Sequence, residues 1–323
     1  MRYFLWPSLI SLLVLGVFLG LTQSLEGFSI VLLLAVLEIT ISFDNAIVNA
    51  KVLGKMDLFW RRIFFWIGLP IAVFGVRFLL PFLLVSLTSN LNLWEAFNLA
   101  IYQPEIYQAH VFEQAGVLYA FGSGFLIWVC LSFLFNKRLP AETHRAWFKF
   151  EKSKWANWVS KNYIFLFFVF ILIAGVLSGV SKNWHMGLGF LLGVFLQRIL
   201  YALGENFSHK AMSGFLLFIY LELLDASFSL DGVLGAFAFT ANPWIILAGL
   251  GIGAIFVRSM TLQLLDKKTL QNFVYLEHGA HYAIGVLGIV LGLEIFMHVP
   301  PALTAILSLG LIGKAFYDSK KIK

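Results

Sequence analysis

The sequence has few charged residues and almost no cysteine. Asp, Glu, Lys and Arg make up 12% of its 323 residues, whereas about a quarter is usual in soluble domains. With 60% hydrophobic residues, the composition excludes an ordinary soluble domain and indicates a polytopic membrane protein. The single cysteine, Cys130, excludes a disulfide framework within the chain and leaves the cellular compartment undetermined.

The N-terminus lacks the cleavage site of a secretory signal peptide. Arg2 precedes an apolar run over about residues 9–21, and a polar stretch at 22–26 (TQSLE) follows it. Because a cleaved signal normally ends in a small-x-small pattern, we expect the first apolar run to remain in the protein as a membrane helix.

Long apolar runs dominate the rest of the chain. A helix that spans a bilayer needs roughly 20 mostly apolar residues, and ten segments approach this pattern. They predict an all-α protein with about ten transmembrane helices in one domain, residues 1–323. The predicted spans 1 to 10 cover about 5–22, 27–51, 62–88, 112–136, 163–181, 185–203, 214–240, 243–266, 279–298 and 301–317.

Basic residues outside the predicted spans lie almost entirely on one side. Of the 23 Lys and Arg residues, 19 lie on one side, Arg2 among them, and only Lys182 falls on the other. This positive-inside pattern predicts an even number of spans, with both termini in the cytoplasm of a bacterial inner membrane. It also explains the net charge of +6, so we expect the lipid bilayer as a partner and no nucleic acid.

Two copies of one motif place carboxylates inside predicted spans 2 and 7. The first runs from Glu38 to Asn45 (EITISFDN) and the second from Asp225 to Gly232 (DASFSLDG), 187 residues later. Each copy has an acid, a Ser four residues on, and an Asp two residues after the Ser. Because a carboxylate in hydrocarbon is costly unless it faces a cavity or a partner, we interpret the two copies as one ion site.

The separation of the motifs predicts an inverted repeat. Predicted spans 2 and 7 are five spans apart, so they cross the membrane in opposite directions. We expect a first repeat over 27–136 (spans 2–4) and a second over 214–298 (spans 7–9). Repeats of this kind place a substrate site near the middle of the membrane, between the two halves.

The motif side chains offer oxygen ligands only. Carboxylates, amides and hydroxyls suit hard divalent cations such as Mg²⁺, Ca²⁺ and Mn²⁺. The absence of Cys, Met and His from the motifs disfavours copper and weakens zinc and nickel. We expect the cation as a substrate, with no organic cofactor. The candidate ligands are Glu38, Ser42, Asp44, Asn45, Glu222, Asp225, Ser229 and Asp231.

The position of Asp44 leaves two arrangements open. Glu38, Ser42, Asn45 and Asn49 recur at helical spacing and form one polar stripe. Asp44 lies about 120° from Glu38 on a regular helix. Either Asp44 has a partner of its own, or the helix unwinds near 42–44. Unwinding would let both carboxylates and freed carbonyls face one ion.

The predicted span that follows each motif contains an arginine. Arg77 lies in predicted span 3 and Arg258 in predicted span 8. Either they neutralise the buried carboxylates as ion pairs, or each acts as a tethered cation that occupies the site when metal or protons are absent. We therefore interpret both as charge-pairing or gating residues.

At these residues the chain resembles the TerC family of integral membrane proteins, which is named for tellurium resistance. The resemblance rests on the two motifs and on the arginine-bearing segments at 75–77 and 256–258, and it covers about 27–88 and 214–298. Gly232 stands where that family usually has Ser. Several members are linked to manganese efflux, and the family is similar in arrangement to exporters of the LysE superfamily, so the resemblance implies Mn²⁺ export.

We therefore expect a transporter, not an enzyme, that exports a divalent cation, with Mn²⁺ as the ion that the resemblance implies. Protons could be counter-transported, since clustered carboxylates can exchange a metal for protons. Two other classes stay open: an intramembrane metal-dependent hydrolase that uses His278 and His281, and a scaffold whose carboxylates are structural ion pairs. The sequence also leaves open whether the protein forms an oligomer.

Overall fold

The computed structural model describes residues 2–22, 24–88, 91–135, 147–206, 210–266 and 273–321. All regular secondary structure within these ranges is helical. The helices are α1 (Arg2–Thr22), α2 (Leu25–Ile41), α3 (Phe43–Leu53), α4 (Leu58–Ile63), the π-helices π1 (Phe64–Gly68) and π2 (Ile71–Leu79), α5 (Leu80–Thr88), α6 (Leu93–Tyr102), α7 (Pro104–Phe135), a 3₁₀ turn (Lys149–Lys152), α8 (Lys154–Lys161), α9 (Tyr163–Ser181), α10 (Trp184–Asn206), α11 (Lys210–Phe237), α12 (Pro243–Asp266), α13 (Leu276–Glu294) and α14 (Pro301–Lys320).

Several of these helices are suited to a membrane. In the described ranges, four are long and apolar enough to span one by length and composition, and the bent pair of α2 and α3 adds a fifth if it is one span. The four are Leu58–Leu83, Ala115–Phe135, Pro243–Asp266 and Leu276–Glu294. The all-α membrane class therefore agrees with the structure, and the number of ten spans stays a prediction.

The helix that carries the first motif breaks at Ser42. α2 ends at Ile41 and α3 begins at Phe43, and the two are bent by 53°. Ser42 has φ −87° and ψ 14°, and its hydroxyl donates to Glu38 Oε1 at 2.9 Å. Asp44 lies in the first turn of α3, where a carboxylate is favoured by the exposed N–H groups of the helix start. Of the two arrangements left open above, the structure has the broken helix.

Glycines allow α2 to lie close against α12. Gly249 lies against Leu34 of α2, and Gly253 lies against Glu38, where an added methyl group would be 2.5 Å from the Glu38 Cβ. Glycines four residues apart are a common device for close helix approach in membranes, because the helix backbones can come together. The two glycines thereby bring α12, with its Arg258, beside the first motif.

The main core surrounds both motifs. Its fully buried members include Leu34 and Ile47 from the first motif's helices, Leu224 and Phe228 from α11, and Leu250 from α12. The segment that holds Arg77 packs against α11 and α12. The polar motif residues are thus enclosed by apolar side chains, so their charges must be balanced locally.

Candidate functional site

Four carboxylates of the candidate site are buried in the helix bundle. Glu38 and Asp44 are each 1% exposed, Asp225 is 4% exposed and Glu222 is 8% exposed. The fifth, Asp231, lies in α11, but its side chain is outside the described part of the structure. A buried ionised carboxylate needs a cation or several hydrogen bonds to be stable.

Arg77 neutralises the first acid of the first motif. Its Nη2 donates to Glu38 Oε1 at 2.6 Å, and its Nη1 donates to the Ala72 carbonyl at 2.8 Å and lies 3.7 Å from Asp225 Oδ2. Since Ser42 also donates to Glu38 Oε1, one carboxylate oxygen receives two hydrogen bonds. Such charge-assisted bonds are the strong ones in proteins.

Arg258 occupies the corresponding place beside the second motif. Its Nη2 lies 3.2 Å from Glu222 Oε1 and 3.7 Å from Asp225 Oδ2. Its guanidinium is 3.7 Å from the centre of the Phe64 ring, a favourable cation–π distance. It also donates to the carbonyls of Phe64 at 2.9 Å and Gly68 at 3.1 Å.

The two π-helices supply the carbonyls that hold the arginines. A π-helix bonds each N–H to the fifth residue back and is frequent at functional sites. Phe64 and Gly68 are the ends of π1, and Ala72 lies in π2. Gly68 packs closely against Glu222, and a methyl group added to this glycine would collide with Glu222 Oε1. These carbonyls could not be predicted, since no residue pattern in this segment distinguishes a π-helix from an α-helix.

Asp225 joins the two arginines and the two motifs. Its Oδ2 is 3.7 Å from a nitrogen of each guanidinium, and its Oδ1 accepts from Asn45 Nδ2 at 2.6 Å. The structure therefore brings together Glu38, Ser42, Asn45, Glu222 and Asp225, along with the two arginines.

The two motifs touch each other at matching positions. Asn45, which follows the second acid of the first motif, bonds to Asp225, the first acid of the second motif. Gly232 stands at the same place in the second motif and faces Glu38, whose Oε2 would be 2.8 Å from a methyl group added there. The contact pattern is thus reciprocal, although the asparagine of one copy is a glycine in the other.

Several buried oxygen atoms on the helices of the two motifs have no hydrogen-bond partner among the described residues. They are Asp44 Oδ2, Asn45 Oδ1, Asn49 Oδ1 and Ser229 Oγ. Asp44 uses its other oxygen to accept from the Asn45 backbone N–H at 2.9 Å. Unpaired buried oxygens are costly, so the site offers ligands that a cation could satisfy.

The described carboxylates outnumber the arginines. Four acids with two arginines give a formal charge of −2 when all are ionised. The arginines pair with Glu38, Glu222 and Asp225. Among the described residues, no group of three His, Cys, Asp or Glu side chains is arranged to hold a metal ion. Of these four acids, Asp44 is the one that forms no ion pair with either arginine among the described residues.

His278 and His281 lie away from these carboxylates, near the start of α13. His281 Nδ1 lies 2.8 Å from the Glu277 carbonyl, and its ring stacks on Phe133. His278 is fully buried, with its Nε2 3.7 Å from Glu151 Oε2. Both rings are packed among protein groups, and no third metal ligand joins them among the described residues.

Comparison with known proteins finds one family. The model of the family described as "Protein of unknown function (DUF475)" matches residues 43–322. The match begins at the first residue of α3, so it includes Asp44 and the whole second motif and leaves out Glu38. No curated protein and no solved structure matches the chain.

Proposed function

We propose that this chain, which belongs to the DUF475 family, is a membrane transporter for a divalent metal cation. The observation that carries the proposal is the buried polar cluster at the contact between α2, α3 and α11. Acids inside the apolar part of a membrane protein are rare, and they mark ion or proton pathways by default.

The charge of the cluster supports a divalent substrate. The formal −2 of the four described acids and two arginines is balanced by one divalent cation or by two protons. An empty site could therefore bind two protons and a loaded site one metal ion, which would couple export to proton entry. The Asp231 carboxyl, if ionised, would add to the negative charge.

The ligand chemistry supports a hard cation. The atoms without partners are a carboxylate, two amide oxygens and a hydroxyl, and such oxygen ligands suit Mg²⁺, Ca²⁺ and Mn²⁺. The choice of Mn²⁺ rests on the resemblance to the TerC family. The ligands in this proposal are Asp44, Asn45 and Ser229, whose oxygen atoms lack partners, with Glu38, Ser42, Glu222, Asp225 and Asp231 completing the site.

Arg77 and Arg258 would act as tethered cations in this mechanism. Each forms an ion pair with a carboxylate that an incoming metal would need as a ligand, Arg77 with Glu38 and Arg258 with Glu222. A metal that enters at Asp44 would compete with the guanidinium groups for Asp225, which lies 3.7 Å from both. Displacement of one arginine could then change the packing of π2 or α12 and open the opposite side.

A membrane scaffold is the second candidate, and the ion pairs favour it. If Glu38, Glu222 and Asp225 serve only to neutralise arginines, the cluster needs no metal. The two candidates differ at Asp44, because this acid is not paired with an arginine and the structural role of its charge is limited to its favourable position in the first turn of α3.

The proposed architecture is ten spans with an inverted repeat and both termini in the cytoplasm of a bacterial inner membrane. The reciprocal contacts of Asn45 and Gly232 support the repeat, since a two-fold axis in the membrane plane would relate them. A phosphatase or fluorescent-protein reporter fused after Lys323 tests the topology. We expect only the reporter that works in the cytoplasm to be active, and activity of the periplasmic reporter alone would exclude an even span count.

Cells that lack the protein are expected to accumulate Mn²⁺ and to grow poorly when Mn²⁺ is added. The reason is that export is the direction implied by the resemblance, and loss of an exporter raises the ion inside the cell. Elemental analysis of washed cells measures this content. Complementation with the Asp57→Asn variant, altered at an exposed helix cap, serves as the control. Unchanged content of all divalent metals would contradict transport, and a change in another metal would replace Mn²⁺.

A further inference from the structure

A cavity of about 530 Å³ lies at one end of the bundle, between α7, the end of α11 and the end of α13. Most of its wall is apolar or aromatic, as Phe112, Leu234 and Phe296 illustrate. Its rim is accessible, because Met297 is 60% exposed and the His298 side chain is 66% exposed. An accessible apolar cavity with a few polar groups is the usual form of a ligand site.

Two of the lining residues can bind a cation. The Glu294 side chain is only 6% exposed, and its Oε2 lies 3.6 Å from His298 Nδ1. The other oxygen, Oε1, accepts from the Val299 backbone N–H at 2.9 Å. The carboxylate therefore uses one oxygen to fix the turn after α13, and its second oxygen faces the imidazole.

The separation of these two atoms fits a shared metal ion. Ligand atoms about 2.1 Å from a tetrahedral metal are about 3.4 Å apart, close to the observed 3.6 Å. We propose that Glu294 and His298 form a second cation site in this cavity, with water completing the coordination. The imidazole favours a transition-metal ion over Mg²⁺, which prefers oxygen ligands only, and Mn²⁺, the substrate proposed above, is the transition-metal ion used as the probe.

The cavity also lies along the helix of the second motif. Gly235, in its wall, is one turn beyond Gly232, which faces Glu38. Ten residues separate Asp225 from Gly235, a distance of about 15 Å along an α-helix. The Glu294–His298 site would then bind a cation transiently on its way between the buried cluster and the solution. This role rests on the proposed function, whereas cation binding in the cavity does not.

Protection of a cysteine in the cavity tests the binding. In a Cys130→Ala background, Ala238→Cys puts one thiol on an exposed lining position. The purified full-length protein in nanodiscs is labelled with a membrane-impermeant maleimide, with and without Mn²⁺. We expect Mn²⁺ to slow labelling and Mg²⁺ to slow it much less. Both Glu294→Gln and His298→Gln should abolish the protection by Mn²⁺.

Two controls separate binding from folding and from transport. Glu294→Gln keeps an oxygen to accept from Val299, so the turn should persist and unprotected labelling should be unchanged. Glu113 and His110 form another acid–histidine pair, 3.9 Å apart, and neither residue lines the cavity. Glu113→Gln should therefore leave the protection by Mn²⁺ intact. No protection by Mn²⁺, or protection that survives both Glu294→Gln and His298→Gln, overturns the proposal. Protection by Mn²⁺ in a parent protein that does not transport Mn²⁺ in liposomes would retain this site and reject the transporter.

Discussion

Asp44→Asn is expected to abolish cation transport while the protein still folds. Asp44 is 1% exposed, and its one described hydrogen bond is from the Asn45 N–H to Oδ1. An asparagine keeps that acceptor and the same volume but removes the charge. Loss of even a residue that only hydrogen-bonds to a metal ligand typically lowers the metal affinity by about 10- to 100-fold. We expect at least this loss in the rate of Mn²⁺ transport at subsaturating Mn²⁺.

Transport by purified protein in liposomes, together with its elution profile and thermal unfolding, measures both parts of this expectation. Asp57→Asn is the matched control, because it makes the same chemical change at an exposed N-cap, where Asn caps about as well as Asp. The scaffold hypothesis predicts no specific role for the Asp44 charge. Transport at the control rate by a folded Asp44→Asn protein would remove Asp44 from the ligand set.

Asp231 allows the same substitution at the matching position of the second motif. Asp44 and Asp231 follow Ser42 and Ser229 by the same two residues. If the repeats are related by a two-fold axis, Asp231→Asn should impair transport as Asp44→Asn does. Transport by the Asp231→Asn protein in liposomes tests whether Asp231, whose side chain lies outside the described part of the structure, is also a ligand.

The helices and the acids were predictable because they depend on local sequence. Long apolar runs specify membrane-suited helices, and the predicted span at 243–266 coincides with α12, Pro243–Asp266. The burial of Glu38 and Asp225 could be predicted because both lie within such runs. An ion pair between Arg77 and a buried carboxylate was among the predicted arrangements, since a buried charge needs a partner, but which acid it would be was not predicted.

The internal geometry of the site was not predictable because it depends on tertiary contacts. Helical spacing alone left open whether the chain breaks at Ser42, where the structure bends α3 by 53° relative to α2. Nothing in the spacing indicated that Asp225 would lie between both arginines. Residue propensities also do not indicate that Arg258 would donate to the Phe64 and Gly68 carbonyls of π1.

Arg77→Gln is expected to destabilise the folded protein by about 3–5 kcal/mol, the usual effect of removing one partner of a buried ion pair. Arg77 and Glu38 have side chains that are 2% and 1% exposed, and they meet at 2.6 Å. Without the guanidinium, Glu38 keeps the hydroxyl of Ser42 but loses its counter-charge. The formal charge of the described cluster falls from −2 to −3. Denaturant or thermal unfolding in detergent measures the change in unfolding free energy.

The double variant Glu38→Gln/Arg77→Gln distinguishes an unpaired charge from lost packing. It removes both charges, so most of the lost stability should return. Lys51→Gln is the control: it removes a cation from the partly exposed pair with Glu277, where we expect less than about 1 kcal/mol. If the metal site is real, Mn²⁺ should stabilise Arg77→Gln more than the parent, because the metal replaces the missing positive charge and binds only the folded state. A double variant that is as unstable as Arg77→Gln would contradict the ion-pair explanation, and an absence of stabilisation by Mn²⁺ in both proteins would favour the scaffold.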